Sequence, residues 1–177
     1  MGGAVCTTLA LQRPDMIDGM ILEAPMLYVS DDLKPPWIIV QLFRHVIIKI
    51  PGLKTWPVAP SKDILDRCFT DPALVAAARK SNPICYESKP RLASAYALAF
   101  QATEWMESRL KDVSVPFLIL HGDADVVTDP EVSKTLYINA CATSKTLKMV
   151  PGGKHADTFW RMDSYDAVQN WLQTQLD

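Results

Sequence analysis

Two stretches decide the architecture of this chain: VPFLILHGDADVVTDP at residues 115–130 and TLKMVPGGKH at residues 146–155. Residues 115–120 form an unbroken apolar run, the pattern of a strand buried on both faces of a parallel sheet. Asp129, Pro130 and Glu131 then supply an N-cap, a first-turn proline and an acidic first turn for a helix reaching about residue 142. Residues 146–150 read as a further strand, and a last helix spans about 163–176, with Tyr165, Val168, Trp171, Leu172 and Leu176 along its inner face. Strand, helix, strand and helix in that order predict parallel strands joined by crossover helices.

Upstream, residues 1–12 are compact and rich in small side chains, ending before Pro14. Residues 20–25 (MILEAP) read as a short buried strand closed by proline. From 30 to 111 the texture changes: prolines recur and the segments between them read as helices. Ser61 is placed to cap a helix carrying Ile64, Leu65, Cys68 and Phe69 on one face. Leu92, Tyr96, Ala99, Thr103, Met106 and Leu110 recur at steps of three and four in a longer helix. Three parts follow: 1–29, a helix and core strand; 30–111, a helical insertion; and 112–177, an α/β unit.

Composition narrows the functional classes. The 177 residues are 49% hydrophobic with a net charge of −2, which fits a folded domain and excludes whole-chain disorder. The near-neutral balance gives no reason to expect nucleic acid as a partner. The four cysteines (Cys6, Cys68, Cys85, Cys141) are scattered, with no CxxC pair, and are expected to be buried thiols in a cytoplasmic, reducing compartment. No metal-ligand spacing is present, and no cofactor is expected. Residues 35–50 (PPWIIVQLFRHVIIKI) are broken by Arg44, His45 and Lys49 and fall short of the ~20 apolar residues of a membrane span. Residues 37–53 instead read as an amphipathic helix, with Ile39, Phe43, Val46, Ile47 and Ile50 on its apolar face. That helix either packs as a cap on the core or rests on a lipid surface.

The chemistry sits where strands end. In open α/β sheets, ligands bind at the carboxyl edge, and two loops fall there: residues 121–130 and residues 151–157. An acid followed 30 residues later by a histidine, each in such a loop, can supply the orienting carboxylate and the general base of a nucleophilic triad. Asp129 is accounted for as a helix cap. Spacing leaves Asp123 and Asp125 both open as the acid.

HGDADVVTDP followed by LKMVPGGKH resembles the acid and histidine segments of the α/β-hydrolases. The likeness is to the monoacylglycerol lipase group and its plant-type, serine aminopeptidase S33-like relatives. It extends to NPICYESKPRLASAYAL before the acid strand and SKTLY after it, and covers most of the chain from Ala4 onward, weakest over 34–78. The resemblance places the triad acid on Asp125 and the histidine on His155, leaves Asp123 on a variable position and makes His121 structural. It aligns Met1-Gly2-Gly3-Ala4 with the residues that follow the serine of the nucleophile elbow. The serine is then expected just before Met1, and the Met1 backbone N–H as one oxyanion donor. On that reading the chain is the C-terminal portion of the fold, lacking the preceding strands, with the first strand left as an exposed sheet edge. The implied substrate is a lipid or small ester, and Trp56, Trp105 and Trp160 are candidates for lining an acyl pocket. A truncated, non-catalytic relative that binds a lipid or a partner is the alternative. Enzymes of the same resemblance with phenolic ester, lysophospholipid or peptide substrates also remain open.

Overall fold

The computed structural model describes residues 1–28, 36–46, 49–50, 52–57, 65–81 and 91–176. Three parallel strands, β1 (Met20–Glu23), β2 (Phe117–Gly122) and β3 (Lys145–Val150), form a sheet in the order β1-β2-β3. Met20 pairs with Phe117, and Phe117 with Lys145, so all three carboxyl ends lie on one edge. The central strand β2 is buried at every residue, as an apolar run between two parallel neighbours requires. Phe117 and Ile119 face a large core with Leu22, Leu27, Met106, Val132 and Leu136, whereas Leu118 and Leu120 face Trp171 on the opposite side.

The helices that cover these faces are α1 (Gly2–Gln12), α7 (Pro130–Asn139) and α8 (Met162–Leu176). Between β1 and β2 lie α2 (Trp37–His45), α3 (Leu65–Cys68), α4 (Pro72–Ser81), α5 (Leu92–Tyr96) and α6 (Thr103–Glu107). A π-helical stretch over Ala97–Ala102 joins α5 to α6. Sequence periodicity predicts one regular helix from 92 to 110. The wider π turn interrupts it and the helix closes at Glu107, yet Leu92, Tyr96, Thr103, Met106 and Leu110 are all buried.

Other expectations need correction. The apolar run from 115 becomes a strand only at Phe117 and continues through His121 and Gly122, so His121 belongs to the strand rather than to the loop after it. The helix expected over 37–53 ends at His45, and a short 3-10 turn follows at Leu53–Thr55. Arg44 ties α2 to the later helices, with Nη2 2.5 Å from Glu104 Oε2 and Nε donating to the Tyr96 hydroxyl at 3.3 Å. That tether leaves Trp37, Ile38, Leu42 and Val46 exposed, and Ile50 with them, while Phe43 is partly buried. In α8 the inner face is narrower than expected: Trp171 is buried and Val168 partly so, but Tyr165 and Leu172 are exposed. Cys68 is buried as expected, whereas Cys6 and Cys141 are exposed. The predicted cap Ser61, with Ile64, Ile47, Cys85 and residues 82–90 of the resembling segment, lies outside the described residues.

Two close approaches set where the strand ends meet. A Cβ on Gly3 would lie 2.6 Å from Pro25 Cβ, so a bare glycine lets the start of α1 sit against the residues that follow β1. A Cβ on Gly122 would lie 2.0 Å from the Gly153 carbonyl oxygen, which brings the end of β2 against the loop after β3. β1 forms one edge of the sheet, and Ile21, with Val5 and Leu9 of α1, is exposed. Because its obstacle is backbone, Gly122→Ala is expected to cost at least about 3 kcal/mol, the upper end of ordinary overpacking. A lowered urea midpoint measures that cost; an unchanged midpoint would contradict the close approach.

Candidate active site

The loops after β2 and β3 are stitched together by backbone hydrogen bonds. Asp123 N donates to Val150 O, Ala124 N to Gly153 O, and the Gly152 N–H reaches Asp123 Oδ1 at 2.6 Å. Asp123 thus clamps one loop to the other from an exposed position. Asp129 caps α7 by accepting from Glu131 N at 2.9 Å. Asp125 is turned inward and is buried, and its Oδ2 lies 2.8 Å from His155 Nδ1. The structure therefore brings Asp125, not Asp123, to the histidine.

Asp125 is the acceptor for a ring of donors. Oδ1 takes the backbone N–H groups of Val127 (2.7 Å) and Thr128 (3.0 Å). Oδ2 takes the Thr128 hydroxyl (2.8 Å), His121 Nε2 (3.1 Å) and His155 Nδ1 (2.8 Å). Burial opposes the charge, but the bonds from His121, His155, Val127 and Thr128 outweigh it and hold the carboxyl well below the usual carboxylate range. Asp125 stays ionised, and an ionised carboxylate only accepts. His155 Nδ1 therefore carries its proton toward Asp125, and Nε2 is left with the free lone pair.

His155 lines a cavity of ≈ 280 Å³ with Glu23, Ala156, Phe159 and Trp160. Phe159 and Trp160 meet edge to face, centroids 5.3 Å apart, and both are exposed. Glu23 is exposed as a residue, and its carboxyl accepts the Thr158 hydroxyl. Desolvation of that carboxyl raises its pKa, offset only in part by the hydrogen bond from the Thr158 hydroxyl. Two carboxyls with opposite biases thus flank the histidine. Of the three tryptophans expected around an acyl pocket, only Trp160 reaches this cavity. Trp105 packs on the main core beneath Arg109, 4.7 Å from the ring centre, and Trp56 is exposed. Met1 is exposed at the start of α1, and its carbonyl accepts from Val5 N.

Sequence reasoning missed the residues that fix the His155 loop from the other side. Buried Asp157 accepts Thr70 N (2.9 Å), the Thr70 hydroxyl (2.5 Å) and Lys154 N (2.9 Å). Lys154 Nζ reaches Phe69 O, and Ala156 N reaches Cys68 O. The acid in Gly-Gly-Lys-His-Ala-Asp, two residues past the histidine, was the only local signal; its partner Thr70 is far away in sequence. Among the described residues, no group of three or more histidine, cysteine or acidic side chains is arranged to hold a metal. No helix among them is long and apolar enough to cross a membrane.

The profile of one family, the serine aminopeptidase S33 hydrolases, matches residues 1–159. The chain belongs to that family. Among curated relatives, the S33 chain is 32% identical to the caffeoylshikimate esterase of Arabidopsis thaliana over 158 residues, 88% of this chain and 46% of that protein. It is 26% identical to human monoglyceride lipase over 160 residues, 88% of this chain and 48% of the relative. The chain thus spans about half the length of the curated relatives it matches. In fold it superposes on the crystal structure of Paleococcus ferrophilus monoacylglycerol lipase with a TM-score of 0.75 at 23% identity, covering 98% of this chain and 65% of that one. A soluble variant of monoglyceride lipase from Saccharomyces cerevisiae, solved with a substrate analog, gives 0.64 at 19% identity, with 98% and 62% covered. The fold is that of the α/β-hydrolases, with part of its sheet in view.

The Asp157 clamp carries a pH signature. Burial opposes its charge, but hydrogen bonds from Thr70 and Lys154 and the Lys154 charge lower its pKa. A carboxyl whose folded pKa lies below its unfolded value of about 3.9 adds stability above that value and loses it as pH falls through the folded one. Asp157→Asn is therefore expected to lower stability at pH 7 and to flatten its decline below about pH 4. Urea midpoints across pH 3–7 check this; a wild-type slope in the variant would contradict it.

Proposed function

We propose that this chain carries the acid and the base of a serine ester hydrolase similar to the monoacylglycerol lipases. The 2.8 Å contact between His155 Nδ1 and Asp125 Oδ2, at the carboxyl edge of a parallel sheet, is the observation that carries the reading. His155 Nε2 takes the proton of a serine hydroxyl as that oxygen attacks the ester carbonyl. It then returns the proton to the leaving alcohol, and the resulting acyl-enzyme is hydrolysed by water activated in the same way. Asp125 fixes the tautomer and stabilises the imidazolium. The serine belongs immediately before Met1, in a Gly-x-Ser elbow. The approach of Gly3 to Pro25 supports this, because it sets the start of α1 beside the strand ends that carry Asp125 and His155. The Met1 backbone N–H is then one oxyanion donor.

The substrate is an uncharged acyl ester of lipid character, on the likeness to the lipases. The exposed apolar residues of α2 (Trp37, Ile38, Leu42) and Val46 just beyond form a surface suited to resting on a lipid interface, within a helical cap assigned to residues 30–111. A phenolic ester is the second reading, favoured by the exposed Phe159–Trp160 pair at the cavity and by the likeness to caffeoylshikimate esterase. A non-catalytic binding protein is the reading to which the chain reverts if no serine precedes Met1.

A fluorophosphonate probe tests the assignment. A polypeptide with Gly-x-Ser in frame before Met1 is expected to label at that serine, and His155→Ala to abolish labelling. Asp125→Asn should slow it by about 10⁴-fold, the cost of the wrong tautomer. Full labelling of the His155→Ala variant, or labelling of residues 1–177 without the preceding serine, would overturn the roles of His155 and of that serine.

A further inference from the structure

Behind the acid lies a second histidine that the triad does not use. His121 is fully buried on β2, and its Nε2 shares Asp125 Oδ2 with His155. Its other nitrogen, Nδ1, lies 2.6 Å from Oγ of Ser133, itself fully buried in the first turns of α7. The direction of these bonds follows from the acceptor. Oδ2 of an ionised Asp125 has no proton to give, so His121 Nε2 must carry the hydrogen. With one ring proton placed there, Nδ1 accepts, and the Ser133 hydroxyl donates to it. Four groups then stand in line: Ser133 hydroxyl, His121 imidazole, Asp125 carboxylate and His155 imidazole.

We propose that Ser133 and His121 are positioning residues, with the Ser133 hydroxyl holding the His121 ring through Nδ1 so that its Nε2–H keeps Asp125 Oδ2 against His155. The proposal rests on the acid role of Asp125 and the base role of His155. Without the Ser133 hydroxyl, Nδ1 is buried without that donor and the ring loses the bond that fixes its orientation, so its Nε2–H is no longer held on Asp125 Oδ2. Thr128 cannot replace that support alone. Its single hydroxyl proton is drawn both to Asp125 Oδ2 and to the Ala24 carbonyl at 3.2 Å, where Ala24 holds a positive φ of 40°. A strained residue at the end of β1 thus competes for the same proton. In the sequence the arm is His121, Asp125 four residues on and Ser133 a further eight on; neither spacing announces it.

The experiment uses ¹⁵N-histidine labelling, with resonances assigned by substitution. His121 is expected to show a protonated Nε2 and a bare Nδ1 at neutral pH, and His155 a low-field Nδ1 proton bonded to Asp125. Ser133→Ala is expected to shift the His121 Nδ1 resonance through loss of its hydrogen bond and to broaden the His155 proton. His121→Phe should abolish that proton signal, and His121→Gln, whose amide N–H falls near the position of Nε2, should restore it. In the serine-bearing polypeptide, Ser133→Ala should lower kcat about tenfold with KM unchanged, as loss of outer-sphere support commonly does. A proton on His121 Nδ1 in the wild type, or an unchanged His155 signal and kcat in folded Ser133→Ala, would overturn the proposal. The spectra stand apart from turnover, so failure of the hydrolase reading would show as a wild-type protein that does not react with the probe while the tautomers stay intact.

Discussion

The buried charge of Asp125 is the constraint around which the rest of this structure is arranged. A carboxylate taken out of water costs several kcal/mol unless hydrogen bonds replace its hydration. Here two backbone amides, one hydroxyl and two imidazoles do so. Each donor comes from a different structural decision: the turn after β2 supplies the amides, β2 itself supplies His121, and the loop after β3 supplies His155. The acid can exist in its charged form only if all three are in register, which ties the chemistry of the site to the packing of the sheet.

That dependence explains features that look unrelated. Gly122 has no side chain because the loop carrying His155 crosses directly over it. Asp157 is buried because the same loop must also be anchored from its far side, and it is anchored to Thr70, between α3 and α4. The helical region between β1 and β2 is therefore mechanically joined to the proposed catalytic histidine through Thr70–Asp157, Phe69–Lys154 and Cys68–Ala156. Movement of α3 or α4 would pull on His155 rather than pass it by.

Much of this was legible in the residues and some was not. The strand β2 and the cap of α7 were readable because their signals are local: an apolar run of strand length, and Asp-Pro-Glu at a helix start. The choice between Asp123 and Asp125 could not be made from spacing, since both lie in one turn and only the backbone path decides which points inward. Periodicity identifies an apolar face at α2 without saying what lies opposite it: Phe43 is partly buried, whereas Val46 and Ile50 are exposed. The tether from Arg44 to Glu104 and Tyr96 bridges at least 52 residues and has no local signal. The Ser133–His121 and Thr70–Asp157 contacts escaped for the same reason, being pairings of polar residues with no period of their own.

The ionisation of Asp125 itself tests the account most directly. Titration of its ¹³C-labelled carboxyl by NMR should show the charged form persisting well below the ordinary aspartate range of about 3.9 for as long as the chain stays folded. A midpoint at or above that value would mean that the donors do not outweigh burial. The tautomers of both histidines, and the proton transfer assigned to His155, would then lose their common cause.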